Sequence, residues 1–199
     1  MNNRLKNIQP ITVAIQNNNN LKEAVDQTLI SLPETGMRRL LLELMKASLL
    51  DERYMSVFDI LHEKYPESIV ILKSKALILK FDYPRETIRT LSKALFLLHQ
   101  REGYPQNIYS FYIWIGRELE KLKEYHRAIA AYTLAISHYW PGKHTKNICH
   151  KGHYLRARLY IKTQQNRKAK KGLLFLMKHY PEDTEVHQML DEIENNEVY

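Results

Sequence analysis

One spacing recurs along this chain and restricts its fold more than any single residue does. Gly116, Ala128, Ala135 and Pro141 follow one another in steps of 12, 7 and 6 residues. Ala157, Ala169, Leu176 and Pro181 do so in steps of 12, 7 and 5, as do Leu42, Tyr54, Leu61 and Pro66. Ala76, Thr87 and Ala94 repeat the first two steps as 11 and 7, without the closing proline. Around these markers the apolar residues recur at helical spacing, and Pro or Gly interrupts at the joints. Two antiparallel helices of about 14 residues approach closely only where small side chains line the contact. A generic helical bundle also uses small core residues, but it has no reason to repeat one register four times. The spacing predicts an all-α chain of stacked helical hairpins.

The stretch Tyr112–Ile136, YIWIGRELEKLKEYHRAIAAYTLAI, is the clearest unit. A glycine inside a helix costs roughly 1 kcal/mol relative to alanine. The expectation is that Gly116 offsets this cost by close packing on the Ala128 face. Tyr112, Ile115, Leu119, Tyr132 and Ile136 would fill the surrounding space, and Tyr125 would cover the turn.

The run W-I-G-x-x-L-x-x-L-x-x-Y-x-x-A-I-x-x-Y-x-x-A-I, closed by Trp140-Pro141, resembles the tetratricopeptide repeat, a helix–turn–helix unit of about 34 residues. Similar units span His150 to Asp183, through Ala157, Tyr160, Ala169, Leu173, Leu176 and Pro181, and Thr35 to Ser68, through Leu42, Tyr54, Phe58, Leu61 and Pro66. Ile69 to about Arg101 matches through Ala76, Leu79, Leu91 and Ala94. The departure is in spacing. From Thr87 to Ala128 and from Ala128 to Ala169 is 41 residues each, with the extra length in Glu102–Ile108 and Gly142–Cys149. The resemblance implies a helical-hairpin repeat superhelix of about four hairpins with flanking helices.

The reading along the chain is then a flexible arm at 1–20 with a strand-like piece at Ile11–Ile15, a capping helix at 21–34, and repeats at 35–68, 69–101, 109–142 and 150–183. A C-terminal helix and tail follow at 184–199. Only 6 glycines and 7 prolines leave little material for the turns of an all-β fold. A single cysteine, Cys149, permits no internal disulfide and suits a reducing compartment. No apolar stretch has the length of a membrane span, and no signal-peptide cleavage site is visible, so a cytoplasmic location is expected.

Such arrays bind rather than catalyse. The resemblance implies a protein-interaction module, an adaptor or chaperone, holding an extended peptide or partner helix on a concave surface lined by first helices. The positions expected to line it include Arg39, Glu43 and Lys46, then Lys73 and Lys80, then Arg117 and Glu120, then Lys151 and Arg158. Seven of these nine are basic, a stronger bias than the 30 basic to 22 acidic residues of the whole chain. Ile113, Tyr154 and Leu77 would add apolar contacts. The formal net charge of +8 points the same way, towards acidic partners or a carboxylate held by an arginine fork. The lysine–asparagine clamp that some relatives use for heat-shock chaperone tails is absent, since Arg39 and Glu43, and Ile113 and Arg117, stand at the corresponding positions. The layout is compatible with translocator chaperones of type III secretion.

The alternative is an RNA- or DNA-binding helical repeat using the basic run Arg167–Gly172. His144, Cys149, His150 and His153 form the one metal-like cluster, whose helical spacing can supply two or three zinc ligands. CHxxH without a second ligand pair is a weak signal, which leaves metal binding by Cys149, His150 and His153 open. Neither metal nor cofactor is expected. No phosphate loop, carboxylate pair or nucleophile–base spacing appears, and no enzyme activity is expected. End hairpins without a polar cap favour homo-oligomers.

Overall fold

The computed structural model describes residues 8–32, 36–49, 51–100, 108–139 and 149–197, with side chains through residue 195. Among them are eleven α-helices and no strand. The helices are α1 (Gln9–Asn17), α2 (Leu21–Ile30), α3 (Met37–Ser48), α4 (Met55–Lys64), α5 (Ile69–Leu79), α6 (Pro84–Gln100), α7 (Ile108–Lys121), α8 (Tyr125–Ser137), α9 (His150–Lys162), α10 (Asn166–His179) and α11 (Thr184–Glu197). They form two compact units, residues 1–100 and 101–199. The added residues of the long links lie largely at 101–107 and 140–148, outside the described residues.

The first unit corrects the reading of the N-terminus. Within 1–20, α1 is a helix with a proline in its first turn, and Ile8, Ile11 and Ile15 are 0%, 0% and 7% exposed in the core. The segment Ile11–Ile15 is thus helical, neither strand-like nor a free arm. The asparagine run after it is a turn between two helices. Asn18 takes a left-handed φ of 53° as the cap of α1, with its N–H bonded to the Ala14 carbonyl. Asn20 caps α2, its side-chain oxygen accepting from the Glu23 N–H at 3.3 Å. Asparagine suits both jobs, tolerating the left-handed region and supplying a short acceptor.

The Thr35–Ser68 unit also departs from expectation. Leu42, matched to the small-residue position, is 49% exposed. Helix α3 buries Leu40, Leu41, Leu44 and Ala47 instead, and packs on α5 and on the 3₁₀ turn Glu52–Tyr54 rather than along α4. A leucine at the crossing keeps two axes apart where alanine would admit them. Helix α4 lies against α2 and α5, and α5 pairs closely with α6. There the register holds, with Ala76, Thr87 and Ala94 all 0% exposed.

The second unit consists of the hairpins α7–α8 and α9–α10, with α9 also on α8 and α11 on α10. Ala128, Ala135, Ala169 and Leu176 are 0% exposed, and Ala157 is 1% exposed. The partner of Gly116 is not Ala128 but the ring of Tyr132, one helical turn further on. A Cβ on Gly116 would meet Tyr132 Cδ1 and Cζ at 2.8 Å and Cε1 closer still. Gly152 on α9 marks a different close approach, between hairpins rather than within one, where a Cβ would stand 2.9 Å from both Cys149 Sγ and Ile136 Cγ1 of α8. The turn of each hairpin closes on a non-glycine residue with positive φ, Lys123 at 61° and Gln164 at 58°.

Candidate partner-binding site

In the first unit the expected lining residues are Arg39 and Lys46 on α3, with Lys73 and Lys80 on and just after α5. Arg39 is exposed, but its Nε donates to Glu43 Oε1 at 3.3 Å, and the Glu43 side chain is only 8% exposed. A carboxylate on a buried helix face requires such a cation, so Arg39 already serves its own unit. Lys46 and Lys73 are exposed and have no ion-pair partner among the described residues. Lys80 caps α5, with its Nζ 5.1 Å from the centre of the Phe81 ring.

The second unit brings together more of what the sequence nominated. Glu120 on α7 accepts from the Tyr132 hydroxyl of α8, and Arg158 on α9 donates to the same carboxylate at 2.6 Å. One carboxylate therefore joins three helices. Burial, reinforced by the Glu120 carboxylate, drives the Tyr132 hydroxyl far above its ordinary pKa, so it remains a proton donor. The positive charges of Arg158 and Arg117 oppose that shift. On α9, burial raises the Tyr154 hydroxyl above its ordinary pKa, reinforced by Glu185 of α11, while the charge of Arg158 opposes the shift. Arg117 and Lys151 are exposed and lack an ion-pair partner among the described residues. Ile113 is corrected: it is 5% exposed and belongs to the packed interior, not to an open face.

The cysteine and histidines near the start of α9 turn to separate neighbours. Cys149 is 4% exposed beside Gly152, and burial pushes its thiol up. His150 Nε2 lies 2.6 Å from Asp183 Oδ2, and its ring meets that of Tyr180 edge-on at 4.6 Å. Asp183 also accepts from the Val186 N–H at 3.2 Å, so the pair ties the start of α9 to the start of α11. Burial would raise the Asp183 carboxyl, but the His150 and Val186 hydrogen bonds outweigh it and hold the carboxyl low. His153 packs 4.8 Å from the Phe175 ring, and burial, aided by Arg156, lowers it to about 4. Among the described residues no three His, Cys, Asp or Glu side chains gather as metal ligands. His144 lies outside them.

Sequence reasoning missed a cleft of about 630 Å³ in the first unit, between the α1–α2 turn and the starts of α4 and α6. Ile15, Met55 and Leu79 contribute its apolar wall, and Arg53 bridges it by donating to Asp51 and to the Ile15 carbonyl at 3.2 Å. The signal was present in the helical spacing of Ile8, Ile11 and Ile15, obscured by the asparagines that follow.

No family model matches the chain, and no curated protein does. Solved structures do. The crystal structure of MamA aligns with a TM-score of 0.59 at 14% identity, covering 72% of this chain and 77% of that one. The Cut9–Hcn1 hetero-tetramer of APC/C aligns at 0.61 and 15% identity, covering 87% of this chain and 32% of that one. A thermophilic TPR protein of Thermus thermophilus aligns at 0.50 and 14% identity, covering 96% and 97%. The fold is therefore that of the tetratricopeptide-repeat proteins, as the repeated register predicts.

Proposed function

We propose that the chain is a protein-interaction module of the adaptor or chaperone kind that takes an extended, acidic partner segment on its first-helix faces. The observation that carries this reading is the ion pair of Arg158 with Glu120, which also accepts from Tyr132, with the exposed Arg117 one helical turn before Glu120 on α7. Glu120 holds Arg158 in place, and a partner carboxylate would be met by the exposed Arg117 one helical turn away. Arg117 and Lys151 supply further charge on the same helices, while Lys46 and Lys73 offer a comparable face on the first unit. A partner of the protein class also accords with the Cut9–Hcn1 assembly, in which a chain of this fold is joined to another protein. The sole, buried thiol suits a reducing cytoplasmic setting.

The test is fluorescence anisotropy with a glutamate-rich extended peptide and its glutamine counterpart. Binding should favour the acidic peptide, and charge reversal at Arg117 and Arg158 should weaken it by about tenfold, the loss of one or two charge-assisted contacts. Equal binding by wild type and the double variant would falsify the reading. A nucleic-acid role would instead survive both reversals and vanish from nuclease-treated captures.

A further inference from the structure

Helix α10 carries Arg167, Lys168, Lys170, Lys171 and Lys178 and no acidic residue. Arg167, Lys171, Leu174 and Lys178 stand at i, i+4, i+7 and i+11, which places them in one stripe running about 16 Å along the helix. The stripe lies directly opposite the core face, where Ala169, Leu173 and Leu176 are all 0% exposed. Lys170 is drawn aside by Glu194 of α11 at 2.9 Å, and Lys168 donates to Gln165 at 2.8 Å. Arg167, Lys171 and Lys178 are exposed, with no ion-pair partner among the described residues.

Between these cations sits an apolar residue. Leu174 is 45% exposed, and its neighbour Phe175 is 39% exposed. Arg167, Lys170, Lys171 and Leu174 line a shallow depression of about 500 Å³. A phosphodiester strand gains from the cations alone and leaves the leucine without a use. A charged bilayer surface rewards both, since interfacial helices set lysine and arginine at headgroup depth and let leucine and phenylalanine enter the acyl boundary. No helix among the described residues is long and apolar enough to cross a membrane, so contact through α10 would be peripheral.

We propose that the outer face of α10 docks on an anionic lipid surface, with Arg167, Lys171 and Lys178 over the phosphate-bearing headgroups and Leu174 inserted between them. This surface uses none of the α7 and α9 residues assigned to peptide binding, so either reading can fail without the other.

The experiment is co-sedimentation of the full chain with phosphatidylcholine vesicles, with and without phosphatidylserine. The wild type should partition only to the anionic vesicles. Removing a surface cation costs about fivefold in partition, so Lys171→Glu with Lys178→Glu should lower it by more than tenfold. Leu174→Gln should lower it as well, while leaving helicity by circular dichroism unchanged. Arg38→Glu with Arg85→Glu makes the same change in net charge at exposed sites of the first unit and should have little effect. Equal losses in the two double variants would reduce the effect to net charge and overturn the proposal. So would absence of binding to anionic vesicles. A duplex nucleic acid bound more tightly than the vesicles and insensitive to Leu174→Gln would assign the stripe to nucleic acid instead.

Discussion

Gly116 and Gly172 both sit inside helices, yet their surroundings predict opposite responses to the same substitution. At Gly116 an added methyl would drive into the Tyr132 ring, whose hydroxyl is held by Glu120 and cannot swing away freely. Gly116→Ala should destabilise by about 1–3 kcal/mol, the usual cost of overpacking. At Gly172 the added Cβ would find only Ala157 Cβ, at 3.9 Å, an ordinary contact. Gly172→Ala should stabilise by up to about 1 kcal/mol through helix propensity. Urea denaturation of the pair checks both signs. His153 gives a pH signature. Its folded pKa is depressed to about 4 from an ordinary 6.5, so protons bind the unfolded chain first. The stability gained by burying the neutral ring is complete above about 6.5 and drains away as pH falls towards about 4. His153→Gln should flatten that part of the melting-temperature profile.

Among the helical elements, the joints carry unused stability. Lys123 and Gln164 adopt left-handed φ values at positions where helix caps favour glycine, in turns closed by Glu124 N–H to Leu119 O at 2.9 Å and Gln165 N–H to Tyr160 O at 2.7 Å. Lys123→Gly and Gln164→Gly should each stabilise by about 0.5–1 kcal/mol, because relief of side-chain strain exceeds the extra entropy of an unfolded glycine. Thermal unfolding of the single and double variants tests this, with additivity expected for separate turns. The hairpins α5–α6, α7–α8 and α9–α10 were legible in the sequence because small residues at fixed intervals leave a steric trace. Helix α3 was not, since Leu42 fits the interval while the surrounding leucines determine which face is buried. Helix α1 was hidden because asparagine serves flexible segments and helix caps equally well in a bare sequence. In the candidate site, the residue types and helices were legible, but the pairing was not. That Glu43 would claim Arg39, and Glu120 claim Arg158 and Tyr132, depends on side-chain directions that spacing alone leaves open.

For the whole molecule, an excess of eight positive charges sets the character of its encounters. Attraction between exposed cations and an acidic segment is screened within about 8 Å at physiological ionic strength. Peptide affinity should therefore fall several-fold as salt is raised from low to physiological levels, mostly through slower association; stopped-flow traces at two salt concentrations would separate the rates. A binding constant insensitive to salt would mean that apolar contacts, not charge, carry recognition. Cys149 offers a different kind of access to the same molecule. Its sulfur is enclosed at the joint of α8 and α9, its thiol is held protonated by burial, and no second cysteine competes for reagent. A thiol-reactive dye can modify it only while that joint stands open. Labelling of the native protein should thus be far slower than in denaturant, and its rate is a clock for transient opening of one chosen helix pair, read without introducing any probe.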